Sequence, residues 1–366
     1  MKSTDKPLTF ERMVRSAKRI TRDEFAANFG GIDQDVVAML TSEAGQKARQ
    51  EARDWMVAQG EKNLKGTGVP ILQTLEFGVI DSAPELLNGD VAAVDGTFAL
   101  PAQQYFLGQA LCVAVGSVSY KRELEESLAY YSAKDVVDGA DNLDDLLGKL
   151  REALFGMSPT AYLRFFEAQH ALEVLEIGEQ FVLMDGPITY EWLCHFPFAI
   201  NLYKDLLRKK HVMGVIKDLA NTKDAAMLGW ALKPGEVLLY KTLAQHLAEN
   251  RAANKNKETG AGSVDVPTEF LTGLASEIIR GVFKPVKKAF GFECHRDHLP
   301  AMLRILAADA QMNHLGHEIP ALLNRVDAEI RAHYGRGMLK RQIAAAMAQQ
   351  DEDLFFEASN ERDFRD

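Results

Sequence analysis

Asp95 and Asp185 occupy matching places in the chain. Each closes a short apolar run and precedes a glycine, in AVDGT at 93–97 and LMDGPI at 183–188. A carboxylate delivered to the edge of a sheet, with Gly96 or Gly186 after it to let the backbone turn and admit solvent, suits a hard cation. Glu167 lies on a helical stretch 18 residues before Asp185, and Asp327 lies in ALLNRVDAEIR, one turn on from Leu323. Four carboxylates converging on one point repel: two charges about 4 Å apart at an effective dielectric of about 20 cost about 4 kcal/mol. Divalent cations reverse that sign. An all-oxygen ligand set selects Mn²⁺ or Mg²⁺, and two such ions about 3.5–4 Å apart suit phosphodiester cleavage, one activating water and the other stabilising the leaving oxygen. Lys217, near the end of a strand-like run in GVIKD, can steady the developing phosphorane charge or bind a neighbouring phosphate.

The elements that must position these residues follow from the residue pattern. The runs VAAVDGTFAL and QFVLMDGPI are rich in β-branched and aliphatic residues and predict buried strands. YFLGQALCVAVGSVSY at 105–120 predicts a strand or hairpin partner for the first, and VMGVIKD at 212–218 a further short strand. A helix is predicted over 158–176, opening with Ser158 as cap and Pro159 in the first turn. On it Leu163, Phe166, His170 and Val174 make an apolar stripe that Glu167 borders. Helices are also predicted at FERMVRSAKRI, in the stretch from Thr41 or Ser42 (as cap) to Leu64, at DNLDDLLGKLREALFG, around FAINLYKDLLRKKH, and at HLPAMLRILAADAQMN, IPALLNRVDAEIRAHYG and GMLKRQIAAAMAQQ. RGVFKPVKKAFGFECH reads as strand. Residues 61–90 read as a connection, 121–150 as a polar stretch and helix, 248–269 as a mobile loop, and DEDLFFEASNERDFRD as an acidic tail with Phe355, Phe356 and Phe364. Strands separated by helices define an α/β chain with a mixed sheet.

At 366 residues with 47% hydrophobic and 26% charged content, the chain can bury a large core. No apolar stretch is long enough to span a bilayer, and MKSTDKPLTFERMVR has no signal-peptide core, so a cytoplasmic protein with no membrane contact is expected. The three cysteines, Cys112, Cys194 and Cys294, are scattered and odd in number, and read as reduced, buried thiols. A net charge of −10 argues against a nonspecific nucleic-acid coat but leaves room for local basic patches. Lys204, Arg208, Lys209, Lys210 and His211 form one such cluster, and Lys284, Lys287 and Lys288 another; solvated faces are the ordinary reading of both. Cys294, His295, Asp297 and His298 lack a second ligand pair at zinc spacing and read as capping residues at a strand-to-helix junction. His314 and His317 flank the turn NHLGHEIP. No dinucleotide-binding glycine motif, Walker loop or serine-hydrolase elbow is present.

Taken in order, AVDGT, a helix glutamate, LMDGPI, GVIKD and GHEIPALLNRVDAEI resemble the NurA nuclease family. The first motif has Thr97 where the family has serine, and His317-Glu318-Ile319 departs from the family's tighter turn before Asp327. The resemblance spans about residues 85–335. It makes 1–84 a helical N-terminal region, 85–335 the nuclease domain with a flexible loop at about 248–269, and 336–366 a C-terminal helix and tail. It implies a ribonuclease H-like mixed sheet flanked by helices, with helical additions at both ends. It also implies metal-dependent DNA cleavage, 5′-to-3′ on single and double strands and endonucleolytic on single strands. Asp95, Glu167, Asp185, Lys217 and Asp327 become the expected catalytic residues, the four acids the metal ligands, and a homodimer docked on a hexameric HerA-type DNA translocase the expected assembly. Two other readings share the acidic core: another ribonuclease H-fold hydrolase or strand-transfer enzyme, and a nuclease-fold subunit that is inactive or activated by a partner.

Overall fold

The computed structural model describes residues 38–75, 83–99, 110–132, 159–209, 211–217, 229–255, 268–285, 288–313 and 319–335, with a few isolated positions besides. The helices expected at 10–20, across most of 141–156 and beyond 338, the acidic tail, Ser158, Lys210, Lys287, His314 and His317 lie outside the described residues. The chain divides into two compact units, Met1–Ala52 and Arg53–Asp366. In the first, Ser42 Oγ accepts the Gly45 N–H at 3.1 Å and caps the helix that follows, so Ser42 rather than Thr41 is the cap.

In chain order the elements are α1 (Glu43–Asn63), β1 (Leu72–Thr74), α2 (Pro84–Asn88), β2 (Val91–Ala99), β3 (Ala110–Val118), β4 (Glu125–Ser132), α3 (Pro159–Glu176) and β5 (Phe181–Asp185). There follow α4 (Pro197–Lys209), β6 (Val212–Ile216), β7 (Glu236–Thr242), α5 (Leu243–Lys255), α6 (Thr268–Thr272), α7 (Leu274–Glu277), β8 (Ile278–Phe283), β9 (Phe290–His295), α8 (Leu299–Gln311) and α9 (Ala321–Tyr334). The strands form one nine-stranded sheet, ordered β1-β7-β8-β9-β6-β5-β2-β3-β4. β2, β5 and β6 are parallel neighbours, and every other pairing is antiparallel. The run β4-β3-β2-β5-β6 is the ribonuclease H-like arrangement, extended on the β6 side by β9, β8, β7 and β1. Parallel neighbours need a crossover, which α4 supplies between β5 and β6.

Four consecutive residues of β2, Val91 to Val94, are all buried, as a strand covered on both faces requires. Val91 and Ala93 join Leu183, Met213, Leu306, Leu322 and Val326 on the face covered by α8 and α9. Ala92 and Val94 join Val182, Met184, Ala168, Ala171 and Tyr203 on the face covered by α3 and α4. Full burial of one such aliphatic side chain is worth roughly 1.5–3 kcal/mol, so these clusters, more than helix propensity, fix the helices against the sheet.

Several segments differ from the sequence reading. The connection 61–90 contains β1 and α2, and the stretch 121–150 contains β4, which closes the β2-β3-β4 meander. Residues 248–255 are the end of α5 and 268–269 the start of α6, so both ends of the loop expected at 248–269 are helical, and 256–267 lie outside the described residues. The strand-like run 280–295 is a hairpin of two strands, β8 and β9. Among the described residues, no helix is long and apolar enough to cross a membrane.

Candidate active site

Strand alternation decides which side chains meet. Val94 on β2 pairs with Met184 on β5, and Asp185 pairs with Val215 on β6. One residue past the first pair, Asp95 and Asp185 come level on adjacent strands, in phase with Ala93 and Leu183 on the α9 side. Lys217, two residues past Val215, falls in the same phase. Its ammonium bonds Asp185 Oδ2 at 2.8 Å and lies 3.8 Å from Asp95 Oδ2. Asp327 stands on α9, is held by Arg331 at 2.8 Å, and its charge is felt at both Asp95 and Lys217.

Glu167 enters from the opposite face. It does not border the buried stripe of α3 but sits within it, 1% exposed, whereas Phe166 is only partly buried. Arg164, one turn earlier, donates to Glu167 Oε2 at 2.7 Å and also to the backbone carbonyl of Asp185. The guanidinium thus ties the helix glutamate to the end of β5, a role the sequence reading did not assign to it.

The glycines have a different role from the one expected. β2 does not end at Asp95 but continues to Ala99, and Gly96 lies inside it, opposite Val115. A Cβ at Gly96 would lie 2.7 Å from Leu163 Cδ1 and 2.9 Å from the Ala114 carbonyl. Gly186 does turn the chain, with φ +97°, and a Cβ there would lie 2.5 Å from Arg164 Nη1. Both glycines therefore clear the sheet edge for consecutive residues of α3, which lets Arg164 and Glu167 reach the aspartates. The turn after Asp185 is also held from below: Glu293 on β9, fully buried and paired with Arg280 at 3.1 Å, accepts the Ile188 N–H at 3.0 Å.

Burial, then the charges of Asp185 and Glu167, push the Asp95 carboxyl well above its ordinary pKa, against the pull of Lys217. Burial raises Glu167 to about 7, opposed chiefly by Arg164. Asp95 Oδ1 accepts the Gly96 N–H at 2.7 Å, but Asp95 Oδ2 and Glu167 Oε1 are buried without any hydrogen-bond donor. Such oxygens are costly to bury unless something positive reaches them. An all-oxygen donor set with two orphaned carboxylate oxygens fits a hard divalent cation. Among the described residues, no three acidic, histidine or cysteine side chains converge as a metal-holding group as they stand; the Lys217 ammonium lies against the aspartates instead.

The remaining candidates fall elsewhere. His295 Nδ1 accepts the Asp297 N–H at 3.2 Å, and His298 precedes α8 without a side-chain capping bond, contrary to the capping role expected. Cys194 and Cys294 are buried and free, and Cys112 is free and half-buried. Arg208 pairs with Asp205 at 3.0 Å and Lys209 approaches Glu176 at 3.9 Å, so that cluster is partly neutralised on its own surface.

No curated protein matches the chain in sequence. Among solved structures, the crystal structure of the NurA nuclease from Sulfolobus solfataricus matches with a TM-score of 0.43 and 10% identity, covering 91% of this chain and 98% of that one. The family model for the NurA domain matches residues 89–308, which takes in Asp95, Glu167, Asp185 and Lys217 and stops short of Asp327. That match spans more than half of the 366 residues, and the chain belongs to the NurA domain family.

Proposed function

We propose that this chain is a metal-dependent deoxyribonuclease whose site is built from Asp95, Glu167, Asp185, Lys217 and Asp327. The observation that carries the reading is the pair of buried, donorless oxygens, Asp95 Oδ2 and Glu167 Oε1, where the charges of Asp185, Glu167 and Asp327 all act on Asp95. Asp95, Glu167 and Asp185 would hold Mn²⁺ or Mg²⁺, two ions on this reading, with Asp327 as the fourth acid. A bound divalent cation there supplies Lewis acidity and a more acidic water. Lys217 offers three donors beside Asp95 and Asp185, suited to a phosphate oxygen as its charge grows. Arg164 keeps Glu167 and the end of β5 in one geometry, so that the carboxylates need little reorganisation when DNA arrives.

The finer activities belong to the same proposal: 5′-to-3′ exonuclease action and endonuclease action on single strands, in DNA end processing or defence. The proposed assembly is a cytoplasmic homodimer working with a HerA-type translocase. A partner-activated subunit is the second reading, favoured by Lys217 lying against Asp185 where a metal-holding arrangement would need it to shift.

Incubation of the pure protein with linear and circular single-stranded DNA and Mn²⁺, beside Asp95→Ala, tests the proposal. Cleavage by wild type alone supports it. Equal behaviour of the two proteins ends the metal-site reading, and cleavage only after adding a HerA-type ATPase selects the partner-activated one.

A further inference from the structure

The sheet edge that carries Asp95, Asp185 and Lys217 continues sideways from β6 into β9, β8 and β7. Ile216 pairs with Gly291, so Lys217 comes level with Phe290 at the start of β9, and Val215 and Phe290 both belong to the face covered by α8 and α9. Phe290 in turn pairs with Phe283, the last residue of β8, and Phe283 with Val237 on β7. The turn between β8 and β9 therefore projects from the same edge as the aspartates. It carries Lys284 and Lys288, of which Lys288 is exposed. Beside it, the turn before β7 carries exposed Lys233 and is tied to the hairpin by the Gly235 N–H, which donates to the Lys284 carbonyl at 2.7 Å. The chain beyond Lys217 stays against the start of β9, where a Cβ on Gly291 would lie 3.1 Å from Leu219 Cδ2. With strands about 4.8 Å apart and at most about 3.5 Å per residue along them, the Lys288 backbone lies within roughly 9 Å of that of Lys217. The Lys233 turn is three strands over, roughly 15 Å away.

Charge along this edge is one-sided. From β6 to β7 stand Lys217, Lys288, Lys284 and Lys233, and Glu236 at the start of β7 is already engaged by the Arg53 guanidinium and the Lys233 N–H. On the other side of Asp95, the described residues of β2, β3 and β4 at this end, 97–99, 110–112 and 129–132, are all uncharged. We infer that Lys288 and Lys233 continue Lys217 into a track for the backbone phosphates of a DNA strand, which leaves the carboxylates over β9, β8 and β7 rather than over β3 and β4. The inference rests on the proposed nuclease function and gives the strand a direction across that site. Two features select a phosphate backbone as the occupant. The track is continuous with the lysine that faces Asp95 and Asp185, so nucleotides next to the one being cut must lie on one side or the other of it. The chain as a whole carries a charge of −10 and repels a polyanion, so a strand held at this edge needs cations placed there. Lysine ammoniums on flexible stems suit phosphates and read no base. Lys284 has a separate task, since its ammonium donates to the Gly229 carbonyl at 3.2 Å and fixes the turn.

The full-length protein, without divalent metal, is titrated with fluorescent oligothymidine and oligodeoxyadenosine strands over a range of NaCl concentrations. Each phosphate contact to a single strand adds about 0.7 to the slope of log affinity against log salt. Lys233→Ala/Lys288→Ala removes two contacts and is expected to lower that slope by about 1.4 on both strands, with Lys233→Arg/Lys288→Arg restoring it. Arg208→Ala/Lys209→Ala, at the end of α4 that leads into the opposite edge of the sheet, is expected to leave the slope unchanged. An unchanged slope in the lysine variant overturns the track. An equal loss in the Arg208–Lys209 variant also overturns it and reduces the effect to net charge. A loss confined to one of the two strands overturns it by assigning the lysines to bases, and a loss that arginine does not restore overturns it by assigning them to the fold. Cleavage by wild type with Mn²⁺, measured in parallel, separates the two claims. The expected slopes without cleavage keep the track and remove the nuclease, cleavage with unchanged slopes removes the track alone, and a wild type that neither binds nor cuts a strand removes both.

Discussion

Lys217 and Asp185 form an ion pair of 2.8 Å across the ends of two adjacent parallel strands, with Asp95 Oδ2 at 3.8 Å from the same ammonium. One cation already spans both aspartates, and it is the chain's own. Removing it tests its two roles. Lys217→Met is expected to lower the stability of the metal-free protein by about 1–3 kcal/mol, because buried carboxylates lose their counter-charge. It is expected to enlarge the Mn²⁺-induced rise in melting temperature, since the ammonium no longer competes, and to cut cleavage on the order of a hundredfold. Thermal melts across a Mn²⁺ titration check the first two effects. Undiminished cleavage by the variant would show that the ammonium takes no part in the chemistry.

Asp95 illustrates a site that costs the fold stability. Its carboxyl is buried, crowded by Asp185 and Glu167, and left with one oxygen that accepts no hydrogen bond. Asp95→Asn keeps an acceptor for the Gly96 N–H and removes the crowded charge. The metal-free variant is expected to melt higher than wild type by a few degrees, roughly 1 kcal/mol or more of stability, while cleavage falls on the order of a thousandfold. A lower melting temperature would mean that Lys217 already compensates the charge in full.

Gly186 adopts φ +97° and leaves room for the Arg164 guanidinium. In Gly186→Ala the left-handed backbone costs about 1–2 kcal/mol, and the new methyl group pushes Arg164 away from Glu167 and the Asp185 carbonyl. Activity is expected to fall further than this loss of stability explains, and Arg164→Met is expected to lose a similar share of activity with its backbone unstrained. Urea denaturation beside cleavage rates checks the pair; parallel losses of stability and rate would reduce both residues to a folding role.

Asp309 supplies the pH dependence. It is fully buried on α8, accepts from the Tyr120 hydroxyl at 2.8 Å and from the Leu322 N–H at 3.1 Å, and so fixes the start of α9, the helix that carries Asp327. Burial raises its carboxyl from 3.8 to about 7. Below about pH 4 both folded and unfolded chains hold the proton. Between about 4 and 7 only the folded chain keeps it, so stability declines as pH rises through that window and levels off above it, by up to about 4 kcal/mol. Asp309→Asn is expected to remove this share of the slope. Urea midpoints from pH 4.5 to 8 for both proteins check it, and identical slopes would mean that the aspartate stays ionised when folded.

Much of the site was legible in one dimension because strands and helices have short, strict periods. The apolar runs ending at Asp95 and Asp185, the helix carrying Glu167 and the strand before Lys217 all stand in their expected elements. The missed strands had weaker local signals: β4 reads EESLAYYS, polar for half its length at the edge of the sheet, and β1 is three residues long. Arg164 had no signal at all, since a helix arginine resembles any solvated one until a distant carbonyl is brought against it.

The sequence by itself determined which residues close the central strands and, through the two-residue period, that Asp95 shares a face with Val91 and Ala93. Only the tertiary structure decided the rest: that β5 pairs with β2 in the register that sets Asp185 level with Asp95, that α9 covers their face while Glu167 crosses from the other, and that the two Asp-Gly glycines clear the way for α3 rather than simply turning the chain. Those are facts of packing between segments tens to hundreds of residues apart, where steric fit and buried charge, not local propensity, select the arrangement.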